Sequence, residues 1–194
     1  MNKFDINLME NKFYCDIDTY LEHENVNNRI VFCGGSLFTL SKILENKNIF
    51  IESYIQGGYA ASEIVGEENV LKKFRKRDKV PTWNLNLDME ASKKVMSAKN
   101  TNCHFISKNV CHASFIGIED ISDENTLFNR TLKNYFNNSK RKKCMHDLLA
   151  LLTIVNKDVV SFKSVDLKHT DDERVKWYSE INNKSNKKIS TSFD

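Results

Sequence analysis

The sequence lacks any long apolar run. Among its 194 residues, no such run approaches the roughly 20 that a helix needs to span a bilayer. The first residues, Met1–Asp5, also lack the apolar core of a signal peptide. We therefore expect no membrane partner and a cytoplasmic location.

An excess of charge of one sign is also lacking. The 29 basic and 26 acidic residues leave a net charge of only +3, which by itself does not indicate nucleic-acid binding. One basic cluster, Lys72–Arg77, surrounds a single aromatic residue and is a candidate phosphate contact. Because a run of charges is more often a solvated face, we favour that interpretation over a nucleic-acid partner.

Proline and glycine are scarce, with one and six residues, and the five cysteines are odd in number. The cysteines lie mostly inside apolar runs, which is typical of buried free thiols rather than of a disulfide framework. Two Cys-His dipeptides, Cys103-His104 and Cys111-His112, invite a zinc interpretation. A spacing of eight within an extended segment does not place four ligands around one tetrahedral centre, so we expect no zinc site from this pair.

The composition indicates an ordinary globular chain. With 40% hydrophobic and 28% charged residues, we expect residues 1–194 to form a single domain with a substantial core. Residues 1–28 are polar and weakly patterned. They contain Asp16-Ile17-Asp18, in which Asp16 and Asp18 are either a pair of metal ligands at a strand end or part of a solvated turn.

Two short apolar runs each stop at a pair of glycines. Residues 29–33 end at Gly34-Gly35, residues 49–55 end before Gly57-Gly58, and apolar residues at helical spacing lie between them. This order predicts an α/β fold with a mainly parallel, Rossmann-like sheet flanked by helices, in which the two strands are neighbours. Ligands bind such sheets beyond the carboxyl ends of the strands, where both glycine pairs fall. Neither pair matches a phosphate-binding loop.

Further along the chain, three segments carry polar residues of interest. Asp88 is placed to cap a helix over Met89–Ala98, with Asn84 on a loop just before it. A strand is predicted near residues 104–107, with residues 110–112 at its end. The stretch Met145–Val155 is apolar all round except at its start, which predicts a buried helix. Asp147 at its N-terminus, with His146 beside it, is either a simple cap or part of a site.

Five separated stretches follow the order and approximate spacing of motifs in one known family. Met145–Ala150 is similar to a His-Asp-Pro-Leu-Ala helix start, and Thr82–Ala91 to a Glu-Phe-Asn-x-x-x-Asp-Pro-Glu-Ala loop. Gly57-Gly58 matches a Met-Gly-Gly turn, Gly34–Leu40 a Thr-Gly-Pro-Leu-Thr-Asn-Leu segment, and Val110–His112 a Val-Thr-His strand end. Over residues 29–194 the chain thus resembles the calcium-dependent nucleoside hydrolases of the inosine-uridine-preferring type.

The resemblance implies a nucleoside hydrolase-like fold and definite roles for four residues. Asp147 would be a calcium ligand, the backbone carbonyl of Gly34 would face the same ion, His146 would protonate the leaving base, and Asn84 would hold the ribose. The implied reaction is hydrolysis of the N-glycosidic bond of a ribonucleoside, with calcium as the cofactor. It also implies that Gly34, Gly57, Asn84, His146 and Asp147 converge at one end of the sheet.

The chain departs from the family pattern at its acidic residues. The family's N-terminal Asp-x-Asp-x-x-x-Asp-Asp signature has no full counterpart, because Asp16-Ile17-Asp18 lacks the following acidic pair, and Thr82 replaces an acidic ribose contact. Calcium needs six to eight oxygen ligands. We therefore expect the isolated chain to bind calcium weakly and to hydrolyse nucleosides poorly or not at all.

Three hypotheses stay open at this stage. The first is a nucleoside hydrolase in which Asp16 and Asp18, a second copy of the chain or a complementing chain completes the metal site. The second is a truncated, non-catalytic relative that binds a nucleoside-like ligand or a protein. The third is an unrelated α/β domain with an accidental match.

Overall fold

The computed structural model describes residues 29–139 and 142–193. Within these residues one six-stranded sheet has the strand order β1-β2-β3-β8-β6-β7, and a separate ladder joins β4 to β5. The strands are β1 (Ile30–Cys33), β2 (Ile51–Gln56), β3 (Thr101–Ile106), β4 (Phe115–Ile116), β5 (Lys143–Cys144), β6 (Val160–His169), β7 (Trp177–Ile181) and β8 (Lys187–Phe193).

Four neighbouring strands of the sheet are parallel. Strand β1 pairs with β2 in parallel, with Ile30 opposite Glu52. Strand β2 pairs with β3 in parallel, and β3 pairs with β8 in parallel. Strand β6 is antiparallel to both of its neighbours, β8 and β7. The predicted mainly parallel sheet is therefore confirmed, as is the pairing of the strand near residues 29–33 with the one near residues 49–55.

Helices connect and cover these strands. They are α1 (Phe38–Ile43), α2 (Ser62–Val65), α3 (Trp83–Asn86), α4 (Met89–Ser97), α5 (Lys108–Ala113), α6 (Leu127–Ser139) and α7 (His146–Val155), with 3-10 turns at Glu67–Asn69, Lys72–Phe74, Ile118–Asp120 and Lys157–Val159. The start of α4 follows its sequence signal, because Asp88 Oδ1 accepts a hydrogen bond from the Ala91 backbone N–H at 2.9 Å. Among the described helices, none is both long enough and apolar enough to cross a membrane.

The apolar side chains form two clusters. The larger contains fully buried residues from β1, β2, β3 and the helices α1 and α4, among them Leu40, Ile51 and Val95. The smaller lies beneath α5 and α7 and includes Ile106, Cys111, Leu149, Ala150 and Val160. Burial of this apolar surface is the main free-energy source that fixes both helices on the sheet.

The cysteines of the described segments are free, as predicted. Cys33, Cys103 and Cys111 are buried and Cys144 is half-buried. Burial raises the pKa of the Cys33 and Cys111 thiols to about 12, so both remain protonated at neutral pH. Cys15 lies outside the described residues.

The predicted burial of the Met145–Val155 helix is wrong. Helix α7 buries Leu149, Ala150 and Thr153, but the exposed fractions of Leu151, Leu152 and Val155 are 46%, 45% and 59%. The helix lies in an outer layer of the described structure and only one of its faces contacts the sheet. An all-apolar sequence gives no information about which face has a neighbour.

Two local predictions are also corrected. Residues 110–112 do not end a strand but lie in α5, which begins after Ser107, whose hydroxyl accepts from the Val110 backbone N–H at 3.5 Å. Asn84 is not on a loop but in the single turn of α3. Both helices are too short for hydrophobic periodicity to reveal them.

We predict that Gly58→Ala destabilises the fold. Gly58 has a φ of +84°, and a Cβ there would lie 3.3 Å from Ile189 Cδ1. An L-residue in this backbone region costs about 1–2 kcal/mol, so the denaturant midpoint should fall.

Gly35→Ala is the matched control, because a Cβ there meets nothing within 4 Å. It should leave the midpoint unchanged or raise it slightly. An equal fall of the denaturant midpoint in both variants would show that the backbone conformation of Gly58 is not the cause of the destabilisation.

Candidate functional site

A cavity of about 360 Å³ lies at the carboxyl ends of β1, β2 and β3. Its position follows from the parallel pairing, since the residues that follow each strand meet at one edge of the sheet. The cavity is lined by Gly34, Gln56, Gly57, Thr82, Trp83, Asn84, Lys108, His112, His146 and Asp147.

The five residues expected to converge all line this cavity. Gly34, Gly57, Asn84, His146 and Asp147 come from four separate segments of the chain. Gly34 and Asp147 are in close proximity, because a Cβ at Gly34 would lie only 3.2 Å from Asp147 Oδ1. A larger residue at position 34 would therefore press on the carboxylate. Asp16 and Asp18 lie outside the described residues.

Asn84 is fixed by the end of β2. Its Nδ2 donates to the Gln56 backbone carbonyl at 2.9 Å and to Gln56 Oε1 at 2.5 Å. Both amide protons are thus used within the protein. Asn84 can offer a ligand only its carbonyl oxygen, which is an acceptor suited to a hydroxyl group.

His146 and Asp147 form the first turn of α7. The backbone N–H of Met145, just before the helix, donates to the Ser114 carbonyl at 3.1 Å, which ties this end of α7 to the end of α5. Asp147 is exposed to solvent in the first turn of α7, at the positive end of the helix dipole. His146 is half-buried beside it.

Two imidazole rings meet at the wall of the cavity. The centroids of His112 and His146 are 4.5 Å apart, and their planes are inclined by 66°. Burial lowers the pKa of His112 to about 4, assisted by the charge of Lys73. Burial also lowers the pKa of His146, and the opposing effect of Asp147 does not cancel it. A neutral His146 at pH 7 holds no extra proton for a leaving base.

Two buried polar atoms of the cavity wall lack hydrogen-bond partners. They are Thr82 Oγ1 and His146 Nε2, and in the described part of the chain only Asn100 Oδ1 shares this property. A buried polar atom without a partner costs about 1–3 kcal/mol. Both residues line the cavity, although the two atoms themselves are buried.

The residues described around the cavity do not fit a calcium ion. Asp147 is the one carboxylate among them, and the wall also contains two imidazoles and the ammonium group of Lys108. Lys108 Nζ donates to the Pro81 carbonyl at 2.8 Å, and burial is the main cause that lowers the pKa of Lys108. Calcium prefers six to eight oxygen ligands, and a neighbouring ammonium group opposes it.

Sequence reasoning missed several residues of the wall. Gln56, Trp83 and Lys108 had no assigned role, and His112 was noted only for its dipeptide and its strand-end motif. The position of Gln56 directly before Gly57 is the signal that could have identified it, because the last residue of a parallel strand faces the same edge. No local signal connects Lys108 to this edge.

A larger hollow of about 980 Å³ lies at the opposite edge, near the amino ends of β2 and β3. Its charged residues include Glu45 and Lys94, which pair with each other at 3.0 Å. Ligands of parallel sheets bind at the carboxyl ends, and the unpartnered imidazole and hydroxyl groups lie there. We therefore take the smaller cavity as the candidate site.

Comparison with known proteins supports the fold. No model of a known protein family matches the sequence. A protein of Aquifex aeolicus (strain VF5), described as uncharacterized, is 30% identical over 141 residues, which cover 68% of this chain and 48% of that protein. The chain thus spans about half the length of this relative.

Three solved structures resemble the chain at 14% sequence identity. A purine-preferring ribonucleoside hydrolase from Gardnerella vaginalis has a TM-score of 0.70 and matches 94% of this chain and 62% of its own. A plant nucleoside hydrolase has a TM-score of 0.63 with coverages of 85% and 57%. An inosine-uridine-preferring nucleoside hydrolase from Bacillus anthracis has a TM-score of 0.59 with coverages of 92% and 59%. The chain therefore has a nucleoside hydrolase-like fold, and it spans about three fifths of each of these proteins.

We predict that Thr82→Val stabilises the protein. The hydroxyl of Thr82 is buried without a partner among the described residues, and valine has nearly the same shape without the polar atom. The free energy of unfolding should rise by about 1 kcal/mol.

Thr101→Val provides the comparison, because Thr101 is equally buried but its hydroxyl lies 2.9 Å from Ser53 Oγ. That substitution leaves the buried Ser53 hydroxyl without its hydrogen-bond partner, so the free energy of unfolding should fall by about 1–2 kcal/mol. Loss of stability in Thr82→Val, measured by denaturant unfolding, would show that the Thr82 hydroxyl has a partner after all.

Proposed function

We propose that the cavity binds a ribonucleoside and that the chain is a divergent relative of the inosine-uridine-preferring nucleoside hydrolases. The observation that carries the proposal is the convergence of Gly34, Gly57, Asn84, His146 and Asp147 on one cavity. These residues are far apart in the sequence and come from the stretches that resemble that family. A fold of the nucleoside hydrolase type supports the same assignment.

The chemistry of the wall suits a sugar with vicinal hydroxyl groups. The Asp147 carboxylate and the Asn84 carbonyl oxygen are acceptors for hydroxyl protons. Thr82, in the same wall, has a buried hydroxyl with no partner among the described residues. Trp83 is 77% exposed at the rim, where its ring offers a surface on which a base can stack. A cavity of about 360 Å³ lies in the size range of small-molecule sites.

Hydrolysis requires more than this wall provides. Cleavage of an N-glycosidic bond needs a group that removes a proton from water and a group that assists the departing base. The described cavity offers one carboxylate, Asp147, and a neutral His146. We therefore expect turnover only if further carboxylates reach the site, from Asp16 and Asp18, from a second copy or from a complementing chain.

A second candidate function is a non-catalytic module that binds a nucleoside-like ligand or a protein. The poor fit to calcium favours it. Exposed apolar side chains also favour a protein partner, because Ile30 on β1 is 51% exposed and the apolar face of α7 is open in the described structure. The hydrolase and the nucleoside-binding form of the module share nucleoside binding, so that step is tested first.

We expect inosine or uridine to bind to the full chain in calorimetric titration. Asp147→Asn should weaken binding about tenfold or more, because a hydrogen bond to a charged group contributes about 1.5–3 kcal/mol. Asp158→Asn, an exposed carboxylate beyond the far end of α7, should leave it unchanged. Equal affinities in the wild type and Asp147→Asn, or no binding to either nucleoside, would contradict the proposal.

A base-release assay separates the two candidates. It compares the wild type with Asp16→Asn and Asp18→Asn, with and without added calcium. Release that depends on either aspartate would establish a hydrolase whose acids come from the N-terminal segment. Binding without release at any calcium concentration would favour the non-catalytic module.

A further inference from the structure

Three metal-ligating side chains meet beside the cavity. A ring nitrogen of His112, the Sγ atom of Cys144 and a ring nitrogen of His146 all lie within 4.8 Å of one another, and all three residues are half-buried. In the described part of the chain, no other group of three or more His, Cys, Asp or Glu side chains has this geometry. Two of these residues also line the nucleoside cavity, but Cys144 does not.

The backbone holds the three residues in place from two sides. Phe115 of β4 lies opposite Cys144 of β5 in a short antiparallel ladder. His112 lies in the last turn of α5, three residues before that ladder, and His146 opens α7 two residues after it. The hydrogen bond from Met145 N–H to the Ser114 carbonyl closes the arrangement at 3.1 Å. The cluster therefore does not depend on a single flexible loop.

We propose that His112, Cys144 and His146 form a binding site for a borderline transition-metal ion, with Zn²⁺ as the expected occupant. Imidazole nitrogen and thiolate sulfur are the ligands that Zn²⁺ prefers, whereas calcium and magnesium prefer oxygen. In tetrahedral zinc sites the ligand atoms are about 3.4–3.8 Å apart. Side-chain rotations that move the three ligand atoms by about 1 Å would therefore bring them to the distances that a zinc ion requires. Three protein ligands leave the fourth position for water or a ligand in the cavity.

One of the ligand residues has an unsatisfied atom. His146 Nε2 is buried and has no hydrogen-bond partner among the described residues. Its ring lies edge to face with His112, and His112 also lies edge to face with Phe74, with centroids 5.6 Å apart. Packing thus restricts both rings, which lowers the entropic cost of holding them around an ion.

The charges around the cluster oppose one another. The positive charges of Lys73, Lys108 and Lys143 and the negative charge of Asp147 act on His146 in opposite senses. A bound divalent ion deprotonates the Cys144 thiol, and this thiolate together with Asp147 compensates its two charges. A site of imidazoles alone in this surrounding would lack that compensation, which makes Cys144 the essential ligand.

The assignment differs from a zinc site built on the two Cys-His dipeptides. Only His112 of those four residues takes part. The Cys111 thiol contacts the Ile106 carbonyl at 3.4 Å and belongs to the smaller apolar cluster. Cys144 and His146, separated by one residue, supply the remaining ligands, and the fold rather than the sequence spacing brings them to His112.

The test is a zinc titration of the full chain after removal of metals with a chelator. We expect one Zn²⁺ per chain, and Co²⁺ in place of zinc should give a sulfur-to-metal charge-transfer band in the near-ultraviolet. Cys144→Ser should abolish that band and weaken zinc binding by about 100-fold or more, and His112→Gln should weaken binding while the band is retained. Cys103→Ala and His169→Gln are controls from β3 and β6 that should behave as the wild type.

Circular dichroism of each variant establishes that it is folded. Zinc binding of unchanged affinity in Cys144→Ser and His112→Gln would overturn the proposal, as would a wild type that takes up no zinc. Asn84→Ala distinguishes the zinc site from the nucleoside site, because this variant should bind nucleosides more weakly and bind zinc with unchanged affinity. If neither the wild type nor any variant binds inosine or uridine while the wild type binds zinc, the proposed function is refuted and the proposed metal site is supported.

Discussion

The parallel pairing of β1, β2 and β3 determines where the polar groups of this protein meet. Because all three strands run in one direction, the residues after Cys33, Gln56 and Ile106 fall at the same edge of the sheet. Helix α7 then adds its own N-terminus to that edge, and the close approach of Asp147 to Gly34 depends on the absence of a side chain at position 34. Without this alignment the site residues would be scattered over the surface.

The site that results is rich in nitrogen and poor in carboxylate. The wall contains two imidazoles and an ammonium group besides the single carboxylate of Asp147, so it favours hydroxyl-bearing ligands and borderline metals over calcium. Of the residues assigned to the proposed nucleoside site and the proposed zinc site, only His146 belongs to both. A metal ion bound to His146 would prevent this side chain from contacting a leaving base. Metal binding and proton donation by His146 would therefore be alternatives rather than parts of one mechanism.

Much of the fold could be predicted from local patterns, and the failures have physical causes. The strand-glycine order identified β1, β2 and their parallel pairing, and Asp88 marked the start of α4, because these signals are contained in a few neighbouring residues. Strand β7, Trp177–Ile181, was missed, since its stability depends on pairing with β6 and on burial of Trp177. Exposure of α7 was missed because an apolar sequence does not specify its neighbours.

The site shows the same division between local and long-range information. Asn84, His146 and Asp147 could be selected because their motifs are short and ordered, whereas Cys144 could not, because its relation to His112 exists only through the β4–β5 ladder. The two Cys-His dipeptides were rejected as a zinc site because of their spacing, but that spacing gave no sign that His112 lies close to Cys144 in the fold. Long-range contacts decide metal sites of this kind, and short motifs do not report them.

The position of β1 connects the missing carboxylates to the fold. In the described sheet β1 is an edge strand, with Ile30 51% and Phe32 38% exposed. A strand added parallel to β1 would end beside Gly34 and would bring its last residues towards Asp147. The same addition would pair the open edge and cover apolar side chains that now face solvent. Under the proposed function, completion of the acidic site and burial of this edge would therefore follow from the same added strand, whichever chain or segment supplies it.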